Sequence, residues 1–336
     1  MITVSIYCYP DRQESKRVVK MVEEFSKEIP AVVSTIDLNR DPGIANYLGG
    51  QSPVVQAGPY RVKQPFTDKD IRVAMLAAAE RHESNRDNPE YQDRLARGRT
   101  ITKSDRFNQW FSKKYSWFFV IILFLYVGLA VLTPVLMKTG ATGPARVLYT
   151  LYKPFCHQLA FRSFFLFGEQ PYYPRELSGM KDVLYYEDVV GDPETNEGLL
   201  HARSFVGNEH LGYKIPLCER CLAIYAAMLV FMLVFALTGN RIKGIPWYLW
   251  IVIGLGPIGY DGASQLPAMM GINMPEWMII RESVPFLRVL TGTLFGLSTI
   301  WFLMPQIEES MRQSRVILSK KFAYIDAMKN LEADIE

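Results

Sequence analysis

Four apolar stretches, about Trp117–Met137, Cys221–Thr238, Pro246–Leu266 and Val284–Met304, each approach the ~20 residues that a helix needs to cross a bilayer. They restrict the chain severely, because backbone polar groups inside hydrocarbon have to be satisfied within the spanning structure itself. Basic residues lie at the expected ends. From Arg94 to Lys114, Lys and Arg outnumber acids seven to one; Arg241 and Lys243 lie between the second and third stretches; Arg312, Arg315, Lys320 and Lys321 follow the fourth. The positive-inside rule then predicts four spans with both termini and the 239–245 turn in the cytoplasm. The 138–216 loop and the 267–283 loop face outward. The long loop carries eight basic and nine acidic residues, which suits translocation. Its apolar, aromatic part, 146–167, is interrupted by Lys153-Pro154 and predicts an interfacial or re-entrant helix.

The mean hydropathy of +0.03 averages two dissimilar parts, a polar stretch of about 115 residues and a lipid-immersed remainder. A net charge of +3 is too small for a nucleic-acid binder, and four cysteines in 336 residues are too few for a disulfide scaffold. Met1–Tyr7 is a β-type run with no basic leader, so the N-terminal part is expected to stay in the cytoplasm. There, residues 2–7 predict a strand, Val18, Val19, Met21, Val22 and Phe25 a helix, and Ala31–Leu38 a second strand. A hairpin split by Gly58-Pro59 and a helix capped by Thr67-Asp68 complete a β-α-β, β-β-α order. That order, with Ser52-Pro53 where the family places its cis-proline, resembles the thioredoxin/glutaredoxin fold. Arg12 and Ser15 stand where that fold carries its two thiols, so the resemblance implies a domain without disulfide exchange, suited to docking a protein partner. Cys8 reads as a buried structural cysteine. The expected fold class is α+β: a thioredoxin-like α/β domain (1–82), a basic linker (83–115), an all-α four-helix membrane domain (116–305) with the 138–216 outer lobe, and a cytoplasmic tail (306–336).

Chemistry gathers at one depth. Cys156-His157-Gln158 follows the first span, and Leu217-Cys218-Glu219-Arg220-Cys221 opens the second. A Cys-x-x-Cys pair with a Cys-His dipeptide is raw material for a metal or thiol-redox site. The predicted ligands are Cys156, Cys218 and Cys221 with His157 or Asp261 as the fourth, holding zinc, although adjacent Cys and His rarely both bind one ion. Asp261 and Gln265, one turn apart, and Arg281 and Arg288 fall at the same level. Charges inside a membrane are costly unless paired, so an Asp261–Arg288 pair is expected. Gln158, Arg162, Asp261 and Arg288 are the candidate catalytic or substrate-contact residues.

Taken together, Cys156-His157-Gln158, Arg162-Ser163-Phe164-Phe165, Leu217-Cys218-x-Arg220-Cys221-x-x-Ile224-Tyr225, Asp261-Gly262-x-x-Gln265 and Arg288-x-x-Thr291-Gly292 resemble a family of predicted prokaryotic membrane proteins of unknown function. The resemblance covers about 145–300 and implies a multi-pass protein of the prokaryotic plasma membrane with a common site and no established reaction. Three functions fit these residues. One is a metal site, hydrolytic if water takes one position. Another is a non-enzymatic scaffold stapled by a structural metal or a disulfide. The third is a quinone-linked thiol oxidoreductase, similar to vitamin K epoxide reductase in having a Cys-x-x-Cys at the outer end of a span.

Overall fold

A computed structural model describes residues 1–191, 193, 195–265 and 282–333. The chain divides into two compact units, one formed by Met1–Tyr115 together with the chain from Glu308, the other by Ser116–Ile307.

The first unit starts with strands β1 (Ile2–Cys8) and β2 (Ala31–Asp37), joined by helix α1 (Gln13–Ser26). Strands β3 (Val54–Ala57) and β4 (Tyr60–Val62) follow the short helix α2 (Pro42–Tyr47), and α3 (Asp68–Ser84) closes the sheet's first face. The sheet order is β2-β1-β3-β4, with β1 and β2 parallel and the other pairs antiparallel. The local signals act as the sequence requires. Asp41 accepts from the N–H groups of Gly43 and Ile44 at 3.0 and 3.3 Å, with Pro42 in the first turn. Asp70 accepts from the N–H and hydroxyl of Thr67. Caps of this kind are worth about 0.5–2 kcal/mol each. Val18 and Val22 of α1 and Ile71 and Met75 of α3 bury their apolar faces against Val4, Ile6 and Val55 of the sheet. Cys8 is buried in the same core, where burial and Asp37 push its thiol up. The Ser52–Pro53 peptide is cis.

Helix α4 (Pro89–Gly98), capped by Asn88, occupies part of the expected linker, and α5 (Lys103–Lys138) carries the first apolar stretch. The other end of this unit is helical too. The last described helix, α12, runs unbroken from Pro285 to Ala333. From Glu308 to Ala333 this helix belongs to the first unit. Val316 packs into the cluster of Tyr7, Ile36, Leu38 and Ile44. Arg315 donates to the Ser112 carbonyl at 2.5 Å and to Glu308 at 2.6 Å, and Tyr115 donates to Glu308 at 2.7 Å.

In the second unit, α6 (Thr142–Tyr152) leads into a single 3-10 turn, Ala160–Arg162, and β5 (Ser163–Leu166). Short helices α7 (Tyr186–Val189) and α8 (Asn196–Ser204) precede β6 (Gly207–Asn208) and β7 (Gly212–Cys218). The three strands form an antiparallel sheet in the order β5-β7-β6. Phe161, Phe165, Tyr173 and Tyr186 fill its core, so the described residues between Ala160 and Leu211 pack as a folded lobe.

Helix α9 (Glu219–Leu237) follows β7 directly. The third apolar stretch is a helical run broken into types: α10 (Trp247–Leu249), a π-helical segment over Trp250–Leu255, and α11 (Gly256–Ala263). Among the described residues three helices, α5, α9 and α12, are long and apolar enough to cross a membrane, where four spans were expected. Pro257 lies just after the π-helical turns that interrupt the third run, and these widen the backbone ahead of the missing N–H. Large apolar side chains are exposed along these helices, among them Phe124, Leu125, Val230, Leu237 and Phe286, as a lipid-facing surface requires. Gly292 and Gly296 of α12 lie one turn apart against α9. A Cβ on Gly292 would stand 2.6 Å from the Arg220 carbonyl oxygen, and one on Gly296 would come closer still to that of Ile224. This is the small-residue close approach of membrane helix pairs.

Candidate metal centre

β7 ends in Cys218, which is also the N-cap of α9, so the strand delivers a thiol to the positive end of an apolar helix. Cys221 follows one turn later, and its N–H points at the Cys218 sulfur at 3.5 Å. Cys156 follows α6; its N–H bonds the Tyr152 carbonyl at 3.1 Å, and its sulfur accepts the Cys218 N–H at 3.1 Å. The three Sγ atoms lie within 4.8 Å of one another, and all three thiols are free. Tetrahedral zinc–thiolate bonds of about 2.3 Å put sulfurs roughly 3.8 Å apart, so the cluster needs little closure to hold such an ion. Hydrogen bonds from Cys218 and Cys221, and from backbone N–H groups, hold the Cys156 thiol well below its ordinary range. Tyr126, Tyr152, Tyr225 and Leu217 pack around the sulfurs.

His157 does not join them. Cys156 is buried and His157 is exposed, and they turn opposite ways from an irregular segment. Among the described residues the cluster consists of the three cysteines, and the expected histidine ligand is withdrawn. Gln158 is buried with φ of 55° and has a supporting part: its amide donates to the Tyr149 carbonyl at 2.8 Å. Its own carbonyl accepts from Lys214, a residue the sequence reading passed over. Lys214 is fully buried on β7, and its ammonium donates to the carbonyls of Gln158 (2.7 Å), Arg203 (2.8 Å) and Ala202 (3.4 Å). Burial pushes it down to about 7, and the negative charge of Cys156 opposes that shift.

Beside the cysteines lies a buried chain of charges. Arg288 reaches Glu219 at 3.1 Å and also pairs with Glu282. Glu282 in turn takes Arg162 in a two-pronged contact at 2.7 and 2.9 Å. Asp261 pairs with Arg220 and accepts from the Ser283 hydroxyl at 2.9 Å; Gln265 donates to the Asp261 carbonyl at 2.6 Å. The expected Asp261–Arg288 pair is thus corrected. Each finds its partner inside the Cys-x-x-Cys instead, Arg288 in Glu219 and Asp261 in Arg220. Glu219 and Glu282 had no assigned role in the sequence, although a glutamate and an arginine at the start of an apolar span are themselves a signal. Arg281 lies outside the described residues. Among the described residues, buried Glu219 Oε1, Arg220 Nε and Arg288 Nε have no hydrogen-bond partner. A wall of three acids and three arginines with unfilled polar positions can hold water or a polar ligand.

Residues 200–302 match the model of a family described as predicted membrane protein (DUF2085). The chain is similar to membrane proteins of that kind. It is also 27% identical over 203 residues to an uncharacterized protein of Methanocaldococcus jannaschii, an alignment covering 57% of this chain and 92% of that protein. No solved structure matches the chain. The matched family segment contains Cys218, Glu219, Cys221, Asp261 and Arg288, whereas Cys156 and Arg162 precede it.

Proposed function

We propose that this is a multi-pass membrane protein that binds zinc through the thiolates of Cys156, Cys218 and Cys221, with a fourth position open to water or substrate. The observation that carries this reading is the three free sulfurs within 4.8 Å of one another at a helix N-terminus. Three thiolates and one divalent cation leave a single net negative charge, and the buried ammonium of Lys214 offsets it. An open fourth position next to Glu219, Arg288 and Asp261 suits hydrolysis of a polar group, because a metal-bound water ionises near neutral pH. The site belongs on this reading at the outer face of a prokaryotic plasma membrane, with four spans and both termini cytoplasmic, as the basic clusters require. The N-terminal domain is proposed to be thioredoxin-like, supported by its strand order and parallel β1–β2 pair, and to be redox-inactive.

The test is metal analysis of the full chain in detergent with thiol counting. One zinc per chain is expected, with three thiols becoming reactive on chelation. Thiols released by reductant and not by chelator would replace the metal with a disulfide and remove the proposal.

A further inference from the structure

The first unit contains a second feature that the metal centre does not use. A cavity of about 500 Å³ opens between the β3–β4 turn at Gly58-Pro59, α3, α4 and α12. Its size falls within the 300–1,000 Å³ of small-molecule sites. Its lining is one-sided in charge. Arg81 comes from α3, Arg94 (which also reaches Glu90 at 3.9 Å) and Arg99 from α4 and its C-cap, and Lys320 from α12, and among the described residues no Asp or Glu lines the hollow. Lys321 also lines it but is engaged by Asp105 at 2.7 Å. Arg81 and Arg99 form no ion pair among the described residues. Lys320 holds its ammonium 3.4 Å from the Gly58 carbonyl. Cations gathered from three helices around one hollow repel one another, and an anion in the hollow relieves that repulsion.

The remainder of the lining is not suited to a bare anion. Ile2, Leu95 and Ile317 give an apolar floor, and His82, Tyr91 and Tyr324 supply rings. His82 and Tyr91 hold each other in place, with Nδ1 2.9 Å from the Tyr91 hydroxyl and ring centroids 5.7 Å apart. Burial, and then the terminal amine with Arg99 and Arg86, hold His82 below its ordinary pKa, which favours the neutral imidazole.

We propose that this cavity binds a nucleoside phosphate, its base against Tyr91 and Leu95 and its phosphates on Arg81, Arg99 and Lys320. The ring-plus-cation lining separates this class from inorganic phosphate, which has no use for the floor. A phospholipid headgroup shares the phosphate chemistry, and the experiment divides the two sources.

The full chain in a neutral detergent is titrated with ATP carrying an N-methylanthraniloyl label, followed by fluorescence. Saturable binding is expected, displaced by unlabelled ATP and at least tenfold weaker in Arg81→Glu/Arg99→Glu. Both arginines are exposed, so the double variant should melt with the parent. Tyr91→Ala should weaken ATP while leaving pyrophosphate competition unchanged. No saturable signal at millimolar label would overturn the proposal, as would equal affinity in the double variant. Displacement by phosphatidylglycerol micelles but not by unlabelled ATP would assign the cavity to a headgroup and overturn the nucleoside reading.

Discussion

Lys214 places an ammonium deep inside a folded lobe, and three carbonyl oxygens take water's place around it. Lys214→Met keeps the stem's volume but leaves those oxygens unpaired. At about 1–3 kcal/mol for each buried group left unsatisfied, partly offset because no ammonium is then held away from water, the variant should lose on the order of 2–4 kcal/mol, read as a lower melting temperature in detergent. Its apparent zinc affinity should fall as well, because the compensating charge is gone. A melt unchanged from the parent would mean the carbonyls find other donors. The arginine wall gives a sharper case. Arg288→Gln strands Glu219 in the interior and leaves Glu282 to Arg162 alone, an effect of about 3–5 kcal/mol for a broken buried pair. Adding Glu219→Gln should recover part of the loss, whereas adding Asp261→Asn should be additive, because Asp261 belongs to Arg220. Recovery by Asp261→Asn and not by Glu219→Gln would restore the pairing that the sequence suggested and the structure replaced.

At the level of elements, the metal ligands depend on how closely α9 and α12 approach, since Cys218 and Cys221 ride on the first turn of α9. Gly296→Ala sets a methyl well inside contact distance of a backbone oxygen that cannot rotate away. The helices must separate, and a loss of about 1–3 kcal/mol together with reduced metal occupancy is expected. Gly128→Ala is the control: its Cβ meets nothing, and a helical Gly→Ala change there should be neutral or stabilising by up to about 1 kcal/mol. Equal behaviour of the two variants would deny the close approach. This interface also shows what a sequence conveys. The apolar runs and the Cys-x-x-Cys are local patterns whose period fixes which residues share a face. The caps at Asp41, Thr67 and Asn88 are local too. The β5–β7 sheet joins segments on either side of a long lobe, and nothing in Arg162-Ser163-Phe164-Phe165 names Gly212–Cys218 as its partner. Charge pairing failed for the same reason. Asp261 and Arg288 share a depth, but choosing between partners depends on side-chain reach across three helices. His157 failed on a smaller scale, because adjacency in sequence turned it away from Cys156.

At the scale of the molecule, the proposed topology is open to reporter fusions. One after Gly179 should read outside the cytoplasm and one after Ala333 inside; the same side for both would require an even number of spans between them and overturn the arrangement. The proposed redox silence of the N-terminal domain predicts no insulin reduction by the full chain in excess dithiothreitol beyond the buffer rate. The placement of Arg315, Val316 and Lys320 in the first unit has a further result, which concerns time during synthesis. Translation delivers β1 to α3 before the apolar runs, yet Val316, which packs against Tyr7 and Ile44, is delivered only after those runs have been made. The sheet of β1–β4 is therefore finished only when α12 arrives. A chain released early would leave Tyr7, Leu38 and Ile44 bare, so incomplete products of this protein carry their own mark for chaperones and proteases.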